Sequence, residues 1–369
     1  MSRIVGRGAG ESAGEVVAES AGESAGQDVS PVAGQDVSQS AGQEESGRPW
    51  WILLALMCTA LWGSAFATVK TGYRLFSIAA TDTASILVFA GARFTLAGSV
   101  TLLLAVSGLA RRGAPPSRRH VWLPKKGQWR GLLILGLIQC TLQYLFLYVG
   151  QANSTGTTTS ILNACGSFTT IILAHLFTRG DRLDHRSILG IAAGLLGVVV
   201  LNLRGVTSFS GLSSLFSFRF RGEGLVLCAT VCGSIGNLLT KRLAAEIDPL
   251  VLTGWKLGTG GTWSLVIGLA AGGRLQPTRP AAWLLLMYLG LLSVIAFNVW
   301  TWLLKRRPLS QMASLLALIP IFGVLFSGIL LGESLLNPLM LLSLALILLG
   351  VQLINARFRS RDRAWVRKE

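Results

Sequence analysis

Charge is scarce in this sequence. Only 14% of its 369 residues are charged, whereas a soluble globular chain carries about 25%. So few charges cannot cover a water-facing surface, which excludes an ordinary soluble protein. Acidic residues are scarcer still, 17 Asp and Glu against 33 Lys and Arg. Hardly any fall inside the apolar runs, so the chain of intramembrane carboxylates that carries protons in many pumps is not evident. Cysteine is limited to Cys58, Cys140, Cys165, Cys228 and Cys232, all within apolar runs and without a CxxC spacing. That argues against a disulfide framework or a thiolate metal site, since Cys228 and Cys232 share a helix face but offer only two ligands. A Walker A sequence is absent, so ATP drive is not encoded. No enzyme chemistry and no cofactor are implied. Asp181, Asp184 and His185 cluster, but among Arg179, Arg182 and Arg186 they read as a charged loop.

What the sequence does have is long apolar runs. They lie near 50–69, 84–108, 130–150, 157–178, 186–203, 222–242, 249–272, 281–303, 309–331 and 338–356. About 20 apolar residues cross a bilayer as a helix, and a helix satisfies its own backbone there. Asp248-Pro249 and Asn337-Pro338 read as helix starts, a capping side chain followed by proline. The 43 glycines fall largely inside the runs, with Gly190/Gly194 and Gly254/Gly258 in GxxxG spacing, which lets membrane helices approach closely. Such faces serve packing within a chain and between chains alike, so a homodimer stays open.

The excess of basic residues would suit nucleic acid in a soluble chain, but here it sits in short loops that meet anionic membrane lipid, so no nucleic-acid partner is expected. The basic segments are residues 109–130, Lys305-Arg306-Arg307 and the tail 357–369. With ten spans they share one side with the amino-terminal arm, which puts both termini in the cytoplasm. Residues 1–48 repeat Ala-Gly-Glu-Ser and Ala-Gly-Gln-Asp without a single aromatic, a composition expected to be disordered. It lacks the basic-then-apolar pattern of a cleaved leader.

The two halves resemble each other. Gly63-Ser64…Lys70 matches Gly233-Ser234…Lys241, Arg93…Gly98 matches Lys256…Gly261, and Gly136-Leu137 matches Gly290-Leu291. Ser160-Ile161-Leu162 matches Ser314-Leu315-Leu316, Phe168 matches Phe322, and Gly197-Val198 matches Gly350-Val351. Each unit has five runs. An odd number inserts the second unit upside down, the common build of secondary transporters, with the solute site at the repeat interface. The expected fold is therefore an all-α polytopic membrane protein of ten transmembrane helices in an inverted 5+5 repeat. Its expected parts are the arm 1–48, a first repeat 49–203, an external linker 204–221, a second repeat 222–356 and the cytoplasmic tail.

The matched residues also resemble the EamA-type transporters of the drug/metabolite transporter superfamily. The resemblance is carried by Leu61-Trp62-Gly63-Ser64-Ala65-Phe66…Lys70, by Ala92-Arg93-Phe94…Ala97-Gly98, and by Pro320-Ile321-Phe322…Leu331-Gly332-Glu333-Ser334-Leu335. The first half departs from the last pattern, reading Ala164-Cys165-Gly166-Ser167-Phe168 with neither its proline nor its glutamate. The resemblance implies ten helices and export or exchange of a small metabolite through a cell membrane, the bacterial inner membrane in this case. A lipid-handling flippase or structural subunit is the alternative.

Charges inside the runs are the first candidates for solute binding, because each costs about 2.5–3.5 kcal/mol unless it has a partner or a wet cavity. Arg93 and Lys256 sit at matched positions and are expected to hold an acidic group. Otherwise they cap carbonyls, snorkel, or pair with Asp82, Glu223 or Glu333. Gln139, Gln143, Tyr144 and Asn163 on the third and fourth runs, Asn298 and Trp300 on the eighth, and Trp62 with Ser64 on the first are expected to line a cavity. Interhelical hydrogen bonding explains the same polar residues equally well. Proton coupling, if any, would fall to Glu223 or His175.

Overall fold

The computed structural model describes residues 50–107, 123–154, 156–177, 184–202, 220–316, 318–332, 338–339, 341–350 and 352–353. The arm 1–48, most of the 204–221 linker and the tail 357–369 lie outside the described residues, as do Asp181, Glu333 and Asn337. The described secondary structure is helical: α1 (Trp50–Leu75), α2 (Thr83–Ser107), α3 (Lys126–Ala152), α4 (Gly156–Phe177), α5 (His185–Asn202), α6 (Phe220–Glu246), α7 (Pro249–Ala270), α8 (Ala281–Arg306), α9 in two pieces (Leu309–Leu316 and Ile319–Leu331), and α10 (Leu341–Gly350). Six of them, α1, α2, α3, α6, α8 and α9, are long and apolar enough to cross a membrane. Ten spans are expected from the sequence. α7 has the length but carries Lys256 and many glycines, while the apolar parts of α4 and α10 are shorter, Cys165–Phe177 and Leu341–Gly350.

Local chemistry sets the helix ends. Asp82 starts α2 by accepting the Ser85 amide at 2.9 Å. Asp248 starts α7, its Oδ1 accepting from Leu250 and Val251 amides at 2.9 and 3.4 Å with Pro249 in the first turn. Both use a side-chain oxygen to satisfy amides that have no partner within the helix. α9 breaks at Leu318, and Pro320 opens its second piece, where a missing N–H costs nothing. That piece ends at Gly332, whose φ of 71° is left-handed, a conformation glycine adopts without strain. α3 contains a π-helical stretch, Leu137–Leu142, between two α-helical pieces. The wider turn shifts the face of Gln139 relative to that of Gln143, and such turns are frequent at functional sites.

The main packings map onto themselves when each of α1–α5 is exchanged with the helix five places on. α1 packs on α8 and α9, and α6 packs on α3 and α4. α2 lies along α7, and α4 lies against α9. Ser343 on α10 donates to the Gly197 carbonyl of α5 at 2.6 Å. The α2–α7 crossing is the most intimate. A Cβ on Gly98 would fall on the Gly258 backbone and 2.9 Å from the Gly254 oxygen, whereas one on Gly258 would meet nothing within 4 Å. The two glycines face one crossing but are not equivalent. Gly98→Ala should destabilise the fold by about 1–3 kcal/mol through overpacking. Gly258→Ala should be neutral or stabilising, since alanine is the better helix former by about 1 kcal/mol. Thermal unfolding of the two purified variants checks this, and equal losses would contradict it.

Candidate functional site

A cavity of about 850 Å³, its open mouth included, lies among α1, α2, α3, α4, α6, α8 and α9. α3 supplies a continuous stripe of its wall: Gln143, Tyr144, Leu147, Tyr148 and Gln151, with Gln139 one turn before. That spacing is one face of a helix. Among the described residues lining the cavity, none is a carboxylate.

Arg93 enters this wall from α2 and is only 1% exposed. Its Nε donates to the Leu289 carbonyl at 3.1 Å and the Ser293 hydroxyl at 2.9 Å, both on α8. Its Nη1 donates to the Tyr148 hydroxyl. Its cation lies 5.0 Å from the Phe94 ring centre. All these partners are neutral. Asp82, one of the carboxylates the sequence offers it, is engaged in capping α2. A guanidinium carries five N–H groups, so some of its donors remain without a protein acceptor among the described residues.

Lys256 is equally buried, 1% exposed, but it does not line the cavity. It stands one layer behind. Its Nζ donates to Gln139 Oε1 at 3.0 Å and to Thr240 Oγ1 at 3.4 Å, and lies 5.3 Å from the Phe297 ring centre. Gln139 passes the interaction on, its Nε2 donating to Asn237 Oδ1 at 3.3 Å.

Aromatic rings fill much of the wall. Trp62 stands edge-on to Trp300 at 5.1 Å and to Phe297 at 5.4 Å, the geometry ring quadrupoles favour. Among the described residues, neither indole Nε1 atom, both buried, has a hydrogen-bond acceptor, and the buried amide oxygen of Gln151 has no donor. Gln151 cannot turn its amide round, because its Nε2 is held at 2.7 Å by the Phe66 carbonyl, which only accepts. Gln143 Oε1 is also unpartnered. Buried polar atoms are nearly always satisfied, and four of the eight buried side-chain atoms left without a partner among the described residues belong to residues that line this cavity.

Of the residues expected to line a cavity, the structure brings together Arg93, Trp62, Gln139, Gln143, Tyr144, Asn163 and Trp300. Lys256, Ser64 and Asn298 lie outside the wall. Ser64 bonds to the Leu61 carbonyl and shares a 2.9 Å hydrogen bond with the Tyr288 hydroxyl. Asn298 holds Thr101 at 3.0 Å and the Val294 carbonyl at 2.7 Å, fastening α8 to α2. Glu223 in the opening turn of α6 and His175 in the last turn of α4 do not line the cavity either. Sequence reasoning missed Gln151 and Asn237 as wall residues. Extending the Gln143, Tyr144 stripe by two turns finds Gln151. Asn237 follows one turn after Gly233-Ser234 but is otherwise unremarked in the sequence.

These features define an all-helical polytopic membrane protein with a polar, cation-bearing cavity between its helices. A family model described as the EamA-like transporter family matches residues 49–203 and 220–356. The chain belongs to that family. It is 26% identical to a probable terminal-alkyne amino-acid exporter of Streptantibioticus cattleyicolor, over 85% of this chain and 95% of that one. It is 27% identical to a probable amino-acid metabolite efflux pump of Escherichia coli, over 81% and 92% of the two chains. A WAT1-related chloroplastic protein of Arabidopsis thaliana is 25% identical over 62% of this chain, and the match spans 55% of that protein's length. A solved crystal structure superposes with a TM-score of 0.61 at 18% identity, covering 84% of this chain and 98% of its own, which establishes a shared fold.

Tyr148 is the one side-chain acceptor that α3 offers Arg93. Tyr148→Phe leaves a charged donor short of a partner and should cost about 1–3 kcal/mol. In an Arg93→Met background the same change should cost little. A double-mutant cycle read by thermal unfolding measures the difference, and additive losses would rule out the coupling.

Proposed function

We propose that the protein is a secondary transporter that exports an amino-acid-type metabolite across the bacterial inner membrane. Two five-helix units, 49–203 and 222–356, form ten spans related by an inverted repeat, with both termini cytoplasmic. The exchange symmetry of the main packings supports this, because symmetry of that kind gives two near-equal conformations for alternating access. The carrying observation is Arg93, a buried cation on the cavity wall with neutral partners and donors to spare. A solute carboxylate completes it, and a charge-assisted bidentate pair is among the strongest contacts a buried guanidinium makes. Gln151 Oε1, one turn from Tyr148 on the same helix face, offers an acceptor to the solute ammonium. The printed names of two relatives, an amino-acid exporter and an amino-acid metabolite efflux pump, agree with that head group.

The test is flux of radiolabelled neutral and acidic amino acids in sealed proteoliposomes. Arg93→Gln should lower flux of every transported amino acid about 10- to 100-fold, the equivalent of one hydrogen bond to a charged group. The variant's unfolding temperature should show that it still folds. Undiminished flux in a folded Arg93→Gln protein would remove Arg93 from the mechanism.

A further inference from the structure

We propose that the Gln139 end of the cavity is a second binding subsite, presenting hydrogen-bond donors, and that it selects amino acids whose side chain ends in an oxyanion. This rests on the reading that places the amino-acid head group at Arg93.

The polarity of this end is fixed by the residue behind it. An ammonium only donates. Lys256 therefore holds the oxygen of Gln139, aided by Thr240, whose hydroxyl bonds the same oxygen at 3.1 Å. The Gln139 amide group is thereby turned towards Asn237, whose Oδ1 accepts it. With its oxygen engaged, Asn237 has its Nδ2 left for the cavity it lines, and that atom has no acceptor among the described residues. Amide orientation is usually a matter of assignment, but here a donor-only neighbour decides it. The other unsatisfied groups at this level are the indole N–H groups of Trp62 and Trp300, which can only donate. The Trp62 ring meets Phe297, the ring beneath the Lys256 ammonium, and the Trp300 ring meets Trp62. Asn237 Nδ2 and the two indole N–H groups thus give residues of this wall three donors, with the Lys256 ammonium behind Gln139, a setting for an anionic oxygen.

The Arg93 end differs. It combines a cation with the fixed acceptor of Gln151, which suits a zwitterionic head. Tyr148 lies nine residues beyond Gln139 on α3, a rise of about 13 Å along the helix. A solute with functional groups at both ends of an extended chain spans such a cavity. Gln143 lies between them and can turn its amide either way, so it sets no polarity. Lys256 is a positioning residue in this scheme, acting through Gln139 and Asn237 without touching the solute.

Three amino acids with the same six-carbon chain separate the possibilities: L-2-aminoadipate, L-norleucine and L-lysine, which end in a carboxylate, a methyl and an ammonium. Equilibrium binding of each to the full chain in lipid nanodiscs is the measurement. Wild type should bind 2-aminoadipate about tenfold more tightly than either competitor, the equivalent of one hydrogen bond to a charged group. Asn237→Asp is nearly isosteric and replaces the donor by an acceptor, so it should reverse the order in favour of lysine. Lys256→Met and Trp300→Phe should each lower the preference for 2-aminoadipate over norleucine about tenfold, which a merely unfolded protein would not do. Norleucine or lysine binding wild type as tightly as 2-aminoadipate would overturn the proposal, as would an unchanged order in Asn237→Asp. If Arg93→Gln binds all three as wild type does, or if wild type binds none, the head-group reading fails and the subsite inference falls with it. Loss of all three in Arg93→Gln with a changed order in Asn237→Asp upholds both.

Discussion

The structure depends on keeping two cations, Arg93 and Lys256, charged between apolar helices without a carboxylate partner among the described residues. A charge at the centre of a membrane helix costs about 2.5–3.5 kcal/mol on insertion scales. A hydrogen bond to a charged group returns about 1.5–3 kcal/mol. Arg93 makes three such bonds and Lys256 two, so neutral oxygens are enough to hold them. Ion pairing would have neutralised the field in the cavity. Carbonyls and hydroxyls stabilise the charges and leave that field intact.

That arrangement in turn requires close helix packing. Arg93 sits on α2 and Lys256 on α7, and these two helices lie along each other with glycine backbones in contact at Gly98, Gly254 and Gly258. Small residues bring the backbones together in lipid, where no hydrophobic force drives helices to associate. The close crossing draws each cation towards acceptors on a third helix, α8 for Arg93 and α3 for Lys256. α3 serves both, through Tyr148 and Gln139, and its π turn lies at Gln139. A strictly α-helical α3 would set these two side chains at a different angular separation.

Much of this is legible in the sequence. Apolar runs give the helices, because a bilayer tolerates little else, and Asp248-Pro249 gives the start of α7 through cap chemistry alone. The matched Arg93 and Lys256 are legible as out-of-place charges, and the Gln143, Tyr144 face as a helical stripe. What is not legible depends on which helix is whose neighbour. Nothing local distinguishes Asn298, which fastens α8 to α2, from Asn163, which faces the cavity. Ser64 and Trp62 are two residues apart and point to different surroundings. The π turn has no signature in Leu137–Leu142, and Asn237 becomes important only because Gln139 reaches it from another helix.

Arg93 and Lys256 occupy matched positions in the two halves, yet one faces the cavity and the other stands behind it. The difference lies in their partners. Arg93 meets a backbone carbonyl and two hydroxyls, short groups that leave its guanidinium at the wall. Lys256 meets Gln139, a side chain long enough to stand between the ammonium and the cavity and rigidly polar once its oxygen is claimed. A guanidinium presents a fork to a carboxylate, while an ammonium is a compact point charge on a flexible stem. The repeats therefore supply similar scaffolds but unlike ends to one cavity. Identical halves would favour a solute with like ends. Divergence at this matched pair of positions contributes to making the two ends of the cavity chemically unlike.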